Sequence, residues 1–257
     1  MDAYTVTHDG RETAYWIDED RVEDDPVVLY VHGSGCRHDV WRLQTGREGS
    51  TAVTMDLSGH GDSADVDTPA GPETMDAYVA DVETVARETD ADVIVGHSLG
   101  GAVVQTLVLD GEYDPKGAVL ADTGAKLGVG DDLGDLLGDD IDLVLDFLNS
   151  ADILFHGDHE EAPANREMMR EEGLAMLRRD LLTCNDFDVR DRLGEIDQPT
   201  LCIVGDHDNL TPVSFTEYLA EHIPNATYAA VPGCSHMSML QNAPAFNADL
   251  DEFLAGL

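Results

Sequence analysis

The chain has 257 residues, 42% of them hydrophobic, which is enough to fill the core of one large domain. Asp and Glu number 53 against 14 Lys and Arg, a formal net charge of -39 that repels nucleic acid and anionic membranes and excludes both as partners. The N-terminus has no basic segment followed by an apolar run, and no stretch of about 18 apolar residues occurs, so the expectation is a soluble, cytoplasmic protein.

Residues 4 to 8 and 12 to 18 alternate polar and apolar around Asp9-Gly10, the pattern of a half-buried antiparallel hairpin. Five short runs follow: Val27 to Val31, Thr51 to Met55, Asp92 to Val95, Ala118 to Leu120 and Leu201 to Val204. They are apolar on both faces and end in Gly- or Asp-rich turns, as buried parallel strands do. Helical periodicity over 74–89, 99–111 and 212–222 separates them, which predicts a mostly parallel, doubly wound sheet with helices on both faces.

The alternation breaks between about 124 and 197, where 131–137 and 166–182 read as helices with no strand between them. The prediction is a helical lid over 124–197 inserted into a core of 1–123 and 198–257. Apolar residues at 141–148 and 168–177 suggest a pocket wall, although such spacing more often marks plain core. The acidic run at 131–140 reads as a solvated helix face. Cys36, Cys184, Cys202 and Cys234 are too few and too scattered for a disulfide framework or a zinc site.

Gly96-His97-Ser98-Leu99-Gly100 follows the strand ending at Val95 and opens the helix from Leu99. A strand, a sharp turn and a helix, with small residues flanking a serine, is the setting a nucleophile elbow requires. Gly96-His97-Ser98-Leu99-Gly100-Gly101 resembles the elbow of the α/β-hydrolase family, and further motifs follow in that family's order over nearly the whole chain except the lid. His32-Gly33-Ser34-Gly35 resembles its HG oxyanion loop, with Trp41 where members often carry an aromatic. The resemblance implies an oxyanion hole made of the backbone N–H groups of Ser34 and Leu99, with His32 bracing the loop by hydrogen bonding. Asp56 to Ser63 is similar to the turn after the family's fourth strand, with His60 structural.

Gly205-Asp206-His207-Asp208, with Pro212 beyond, resembles the family's G-x-x-D turn with the acid in its last position. By that resemblance Asp208 is the acid, with Asp206 its neighbouring alternative. Pro232 to Leu240 resembles the family's last loop and makes His236 the base. A serine hydroxyl is a weak nucleophile until a base takes its proton, and the base needs an acid to fix its tautomer. The Asp-His-Asp run could also be read as metal ligands, but neighbours in a turn point apart and no cluster completes a site, so neither metal nor cofactor is expected. Cys36 and Cys234 belong to loops that the family places around its pocket and read as small apolar fillers.

The resemblance therefore implies a serine hydrolase, carboxylesterase-like, acting on small-molecule esters through an acyl-enzyme on Ser98. A Ser nucleophile excludes the chemistry of haloalkane dehalogenases and epoxide hydrolases, whose elbow carries Asp. Carbon–carbon bond hydrolases, lactonases and perhydrolases share the triad, though the Asn that the first often carry after the HG loop is missing from 33–50. From another class, small-molecule receptors of the same fold keep the triad with little turnover.

Lys116 and Lys126 are the only lysines, and this Arg-over-Lys, carboxylate-rich composition resembles that of halophilic archaeal proteins. At molar salt the Debye length shrinks to about 3 Å and repulsion between surface carboxylates is screened. The chain is expected to lose its fold on dialysis into dilute buffer; a circular dichroism spectrum unchanged by desalting would overturn the salt requirement.

Overall fold

The computed structural model describes every residue except 20, 21, 23, 24, 131, 132, 135, 136, 139 and 151. The helix expected over 131–137 lies largely outside the described residues.

Strands β1 (Asp2–His8) and β2 (Arg11–Ile17) pair antiparallel from Asp2 opposite Ile17 to His8 opposite Arg11. The turn between them has positive φ at both Asp9 (47°) and Gly10 (78°), the conformation for which Asp-Gly is suited in a two-residue hairpin. The sheet continues through β3 (Val27–Val31), β4 (Thr51–Met55), β5 (Val93–His97), β6 (Gly117–Ala121), β7 (Thr200–Gly205) and β8 (Ala226–Val231). Its order is β1-β2-β4-β3-β5-β6-β7-β8; β2 is antiparallel to both β1 and β4, and the rest pair in parallel.

Alternate residues of the central strands enter two separate cores, as a period of two requires of a sheet covered on both faces. Leu29, Val31, Val53, Met55, Ile94 and Leu120 pack with α1 (Pro72–Thr89), α2 (Leu99–Asp110) and Leu219 of α6 (Val213–His222). Val28, Tyr30, Ala52, Val93, Val95 and Val119 pack with Trp41, Phe246 and Leu250, the last two on α8 (Ala243–Ala255), which follows the short α7 (Ser238–Gln241). Strand β8 was not anticipated, because this edge strand is Ala-rich and partly exposed and so lacks an apolar run.

Between β6 and β7 the chain forms α3 (Ile141–Leu148), α4 (Ala162–Glu172) and α5 (Leu174–Asn185). The helical stretch expected at 166–182 is thus two helices, broken at Gly173 with φ 87°. This segment is tied to loops at the carboxyl ends of the strands: Ser235 Oγ donates to the Ile153 carbonyl at 2.6 Å, and Gly71 N–H donates to Thr183 Oγ1 at 3.0 Å. From β3 the chain moves to β4 on one side and returns to β5 on the other. The reversal opens a crevice at the carboxyl ends of β3 and β5, where ligands bind in open α/β sheets. Among the described residues no helix is long and apolar enough to cross a membrane.

Ile94 is fully buried in the first core, whereas Tyr228 on β8 is 41% exposed. Ile94→Ala is expected to destabilise the fold by about 2–5 kcal/mol, and Tyr228→Ser by no more than about 0.5 kcal/mol. Urea melts of both variants in molar salt check the contrast.

Candidate active site

Ser98 terminates β5 and caps α2 with φ 53° and ψ -116°, a backbone that L-residues avoid. The turn is this sharp because its neighbours have no side chains: a Cβ on Gly96 would stand 2.3 Å from the Gly100 carbonyl oxygen, and one on Gly100 2.5 Å from that of Val31. Hydrogen bonds fix the strained residue. Its N–H donates to the Ala121 carbonyl at 2.9 Å, and its own carbonyl accepts from Gly101 N–H at 2.9 Å and Thr123 Oγ1 at 2.8 Å. The side chain is half-buried at the mouth of the crevice, and its hydroxyl makes no hydrogen bond among the described residues.

The loop after β3 lies directly against this elbow, for a Cβ on Gly33 would come within 3.1 Å of Ser98 Cβ. Leu57 N–H donates to His32 Nε2 at 3.1 Å, so the His32 proton is on Nδ1, which donates to the Gly33 carbonyl at 2.9 Å. Burial and the adjacent His60 push His32 down to about 4, keeping it neutral in that tautomer. His32 thus braces the Gly33–Ser34 peptide. Neither Ser34 N–H nor Leu99 N–H has a protein acceptor among the described residues.

His236 Nδ1–H donates to Asp208 Oδ2 at 2.9 Å. Asp208 also accepts from Leu210 N–H and Thr211 N–H on Oδ1 and from Thr211 Oγ1 at 2.6 Å on Oδ2, so its carboxylate is fixed in the turn after β7. Asp206 faces away and accepts from Gly233 N–H at 2.7 Å. Ser98 connects to His236 through its neighbour: His97 Nε2–H donates to the His236 carbonyl at 2.8 Å. Burial pushes His97 down to about 3, with the nearby His236 adding to the effect, so it stays neutral. Trp41 packs its buried ring edge-on to His97 at 6.4 Å.

Burial pushes the His236 imidazolium down, but the charge of Asp208, its hydrogen bond and the charge of Asp122 push it up by more, and the net shift is upward. Burial likewise raises the Asp208 carboxyl, and His236 and Thr211 outweigh it, leaving the group below its usual range.

Sequence reasoning missed Thr211, Asp122 and Asp180. Thr211 Oγ1 also lies 3.2 Å from His236 Nδ1. Asp122, directly after β6, accepts from Gly205 N–H at 2.8 Å and Ser238 Oγ at 2.5 Å. An acidic residue ending an apolar strand at the carboxyl edge of the sheet was the available signal. Asp180 of α5 accepts from His60 Nε2–H at 2.9 Å, which accounts for the buried His60.

A cavity of about 480 Å³ reaches Thr211 of this site and is lined by Asn209, Leu210 and Cys184, with Leu127, Val129, Leu133, Phe147, Ile153, Leu181 and Phe215 in its wall; Ser98, His236 and Asp208 are not part of that lining. Cys184 lies beside Ser34. Of the runs 141–148 and 168–177, which could mark a pocket wall or plain core, only Phe147 lines the cavity, while Val144, Leu145, Leu148, Met168, Met169 and Leu177 pack into the second core. Helical periodicity reports burial and cannot tell a cavity face from a core face. Cys36 and Cys234 are buried, do not line this cavity, and have thiols pushed up to about 12 by burial. Among the described residues no three His, Cys, Asp or Glu side chains are grouped to hold a metal ion.

In NMR titration the His236 imidazole is expected to lose its proton above the ordinary value of 6.5, and its midpoint to fall in Asp208→Asn, where only the charge of Asp122 is left to oppose burial. A midpoint that stays put in the variant would contradict this account.

Residues 28–249 match the Alpha/beta hydrolase family. A solved structure of a thermophilic esterase superposes with a TM-score of 0.87 at 32% identity, covering 99% of this chain and 98% of that one. A pimeloyl-[acyl-carrier protein] methyl ester esterase of Neisseria meningitidis is 27% identical over 90% of this chain and 94% of its own length. A non-heme chloroperoxidase of Burkholderia pyrrocinia is 28% identical over 98% of this chain and 99% of its own. With its sheet order, its strained serine turn and this match over most of its length, the chain belongs to the alpha/beta hydrolase family.

Proposed function

We propose that the chain is a serine hydrolase cleaving small-molecule carboxylic esters. Ser98 Oγ attacks the carbonyl carbon as His236 Nε2 takes its proton. Asp208 holds the imidazole with Nδ1 protonated and stabilises the imidazolium that forms. The carbonyl oxygen, now an anion, is met by the N–H groups of Ser34 and Leu99, each such donor being worth about 2.7–4 kcal/mol in the transition state. The alcohol leaves with the proton from His236, and water activated by the same imidazole releases the acid from Ser98.

The observation that carries this reading is the backbone of Ser98, since strain of about 1–3 kcal/mol at a serine on the switch-point crevice has no structural benefit of its own. The buried Asp208–His236 pair and the two amides without protein acceptors support it. On this reading residues 124–197 act as the lid, and the mostly apolar cavity under them takes an acyl or alcohol group of modest size. The likeness to a non-heme chloroperoxidase supports a second reaction on the same acyl-enzyme, in which hydrogen peroxide replaces water and the product is a peracid.

The test is steady-state hydrolysis of short-chain p-nitrophenyl esters in about 2–3 M KCl, a medium chosen to screen the net charge. Wild type is expected to turn over repeatedly and Ser98→Ala to lose that turnover. A folded wild type without turnover would overturn the esterase reading and leave the carbon–carbon hydrolase and receptor alternatives.

A further inference from the structure

Asp180 sits on α5, 145 residues along the chain from Gly35, yet Gly35 N–H donates to its Oδ2 at 2.9 Å. The same oxygen accepts from His60 Nε2–H at 2.9 Å, and Oδ1 accepts from the Tyr78 hydroxyl at 2.7 Å. Asp180, His60 and Tyr78 are all fully buried. We propose that Asp180 is a positioning residue for the oxyanion donor: it fixes the Ser34–Gly35 peptide, holds Ser34 in place against the elbow so that its N–H stays within reach of the oxyanion, and so makes turnover depend on the contact between α5 and this loop. This inference rests on the hydrolase reading above.

Ser34 lies between two peptide planes. The oxygen of the first, that of Gly33, accepts from His32 Nδ1–H at 2.9 Å and Cys36 N–H at 3.2 Å. The second plane is fixed at its N–H by Asp180. The Ser34 N–H lies in the first plane, so the bonds to the Gly33 oxygen set its direction, and the Asp180 bond to the second plane fixes where Ser34 sits against the elbow. The first clamp comes from the core strand β3 and the second from the helical segment, so only the second depends on that segment being docked.

The surroundings distinguish this contact from ordinary anchoring. Helix α5 is also held by Arg179, whose Nη2 donates to the Ser58 carbonyl at 2.8 Å, and by Thr183, whose Oγ1 accepts from Gly71 N–H at 3.0 Å. These bonds seat the helix without touching the oxyanion loop. A shift of about 1 Å in a positioned group can cost about a hundredfold in rate.

The experiment compares D180N with T183V, both confirmed as folded by circular dichroism and urea melts in molar KCl. In D180N kcat for a p-nitrophenyl ester should fall about 10–100-fold with KM nearly unchanged. Inhibition by a trifluoromethyl ketone, whose tetrahedral adduct on Ser98 carries the oxyanion, should weaken in proportion. T183V should retain wild-type kcat and ketone affinity. Hydrogen exchange at the Gly35 amide should accelerate in D180N and not in T183V.

D180N with kcat, ketone affinity and Gly35 protection like those of T183V would overturn the proposal alone. A wild type that neither turns over nor binds the ketone would remove the hydrolase reading and this proposal with it. Should D180N fail to fold, Tyr78→Phe removes one of the bonds that hold the carboxylate and is expected to lower kcat several-fold at constant KM; an unchanged kcat would overturn the proposal.

Discussion

Ser98 is held at φ 53° by bonds that come largely from the next strand, and the architecture follows from that requirement. Its N–H is taken by Ala121 and its carbonyl by Thr123, both at the end of β6. A net gain of about 0.5–1.5 kcal/mol per hydrogen bond means that two or three such bonds offset a strain of about 1–3 kcal/mol. These bonds exist only in the observed register, with Gly96 opposite Leu120 and His97 opposite Ala121. A slip of one residue would exchange the two core faces and release the elbow together. The two apolar cores therefore do more than stabilise the sheet: by fixing register they fix the conformation of one serine.

Burying carboxylates is the other constraint, and in a chain of net charge -39 it has been met selectively. Asp56, Asp81, Asp122, Asp180 and Asp208 are buried. Four of them face a basic side chain: His38 for Asp56, Arg11 for Asp81, His60 for Asp180 and His236 for Asp208. Each also accepts backbone N–H bonds, as a buried charge must if it is not to be strongly destabilising. Salt screens exposed charges and leaves buried pairs nearly untouched. Molar salt would thus relieve repulsion at the surface without weakening the pairs that shape the site.

Most of the sheet was legible because its strands are runs apolar on both faces, a pattern only doubly covered strands need. Strand β8 escaped for the converse reason: Ala226–Val231 lies at an edge with partial exposure and carries little apolar signal. At the site, Ser98, Asp208 and His236 stand in motifs whose spacing is local, so a sequence displays them. Asp180 and Thr211 do not, since their roles arise from contacts across 145 and 25 residues that no local pattern encodes. The break at Gly173 was equally hidden within a continuous helical periodicity, although its φ of 87° is one that glycine adopts without strain.

Asp122 is the exception among the buried aspartates. Its hydrogen bonds come from neutral donors, Gly205 N–H and Ser238 Oγ, and the nearest ring nitrogen, His97 Nε2 at 4.0 Å, has committed its proton to the His236 carbonyl. Burial, and then the charge of Asp208, push this carboxyl up to about 7. Ionised, Asp122 helps raise His236; protonated, it does not. The two groups therefore favour each other's charged forms, and their protons leave over a wider range of pH than either would alone. A second carboxylate behind the imidazole, with no cationic partner among the described residues and pushed upward by burial, means that the protonation state of His236 is set by Asp208 and Asp122 together.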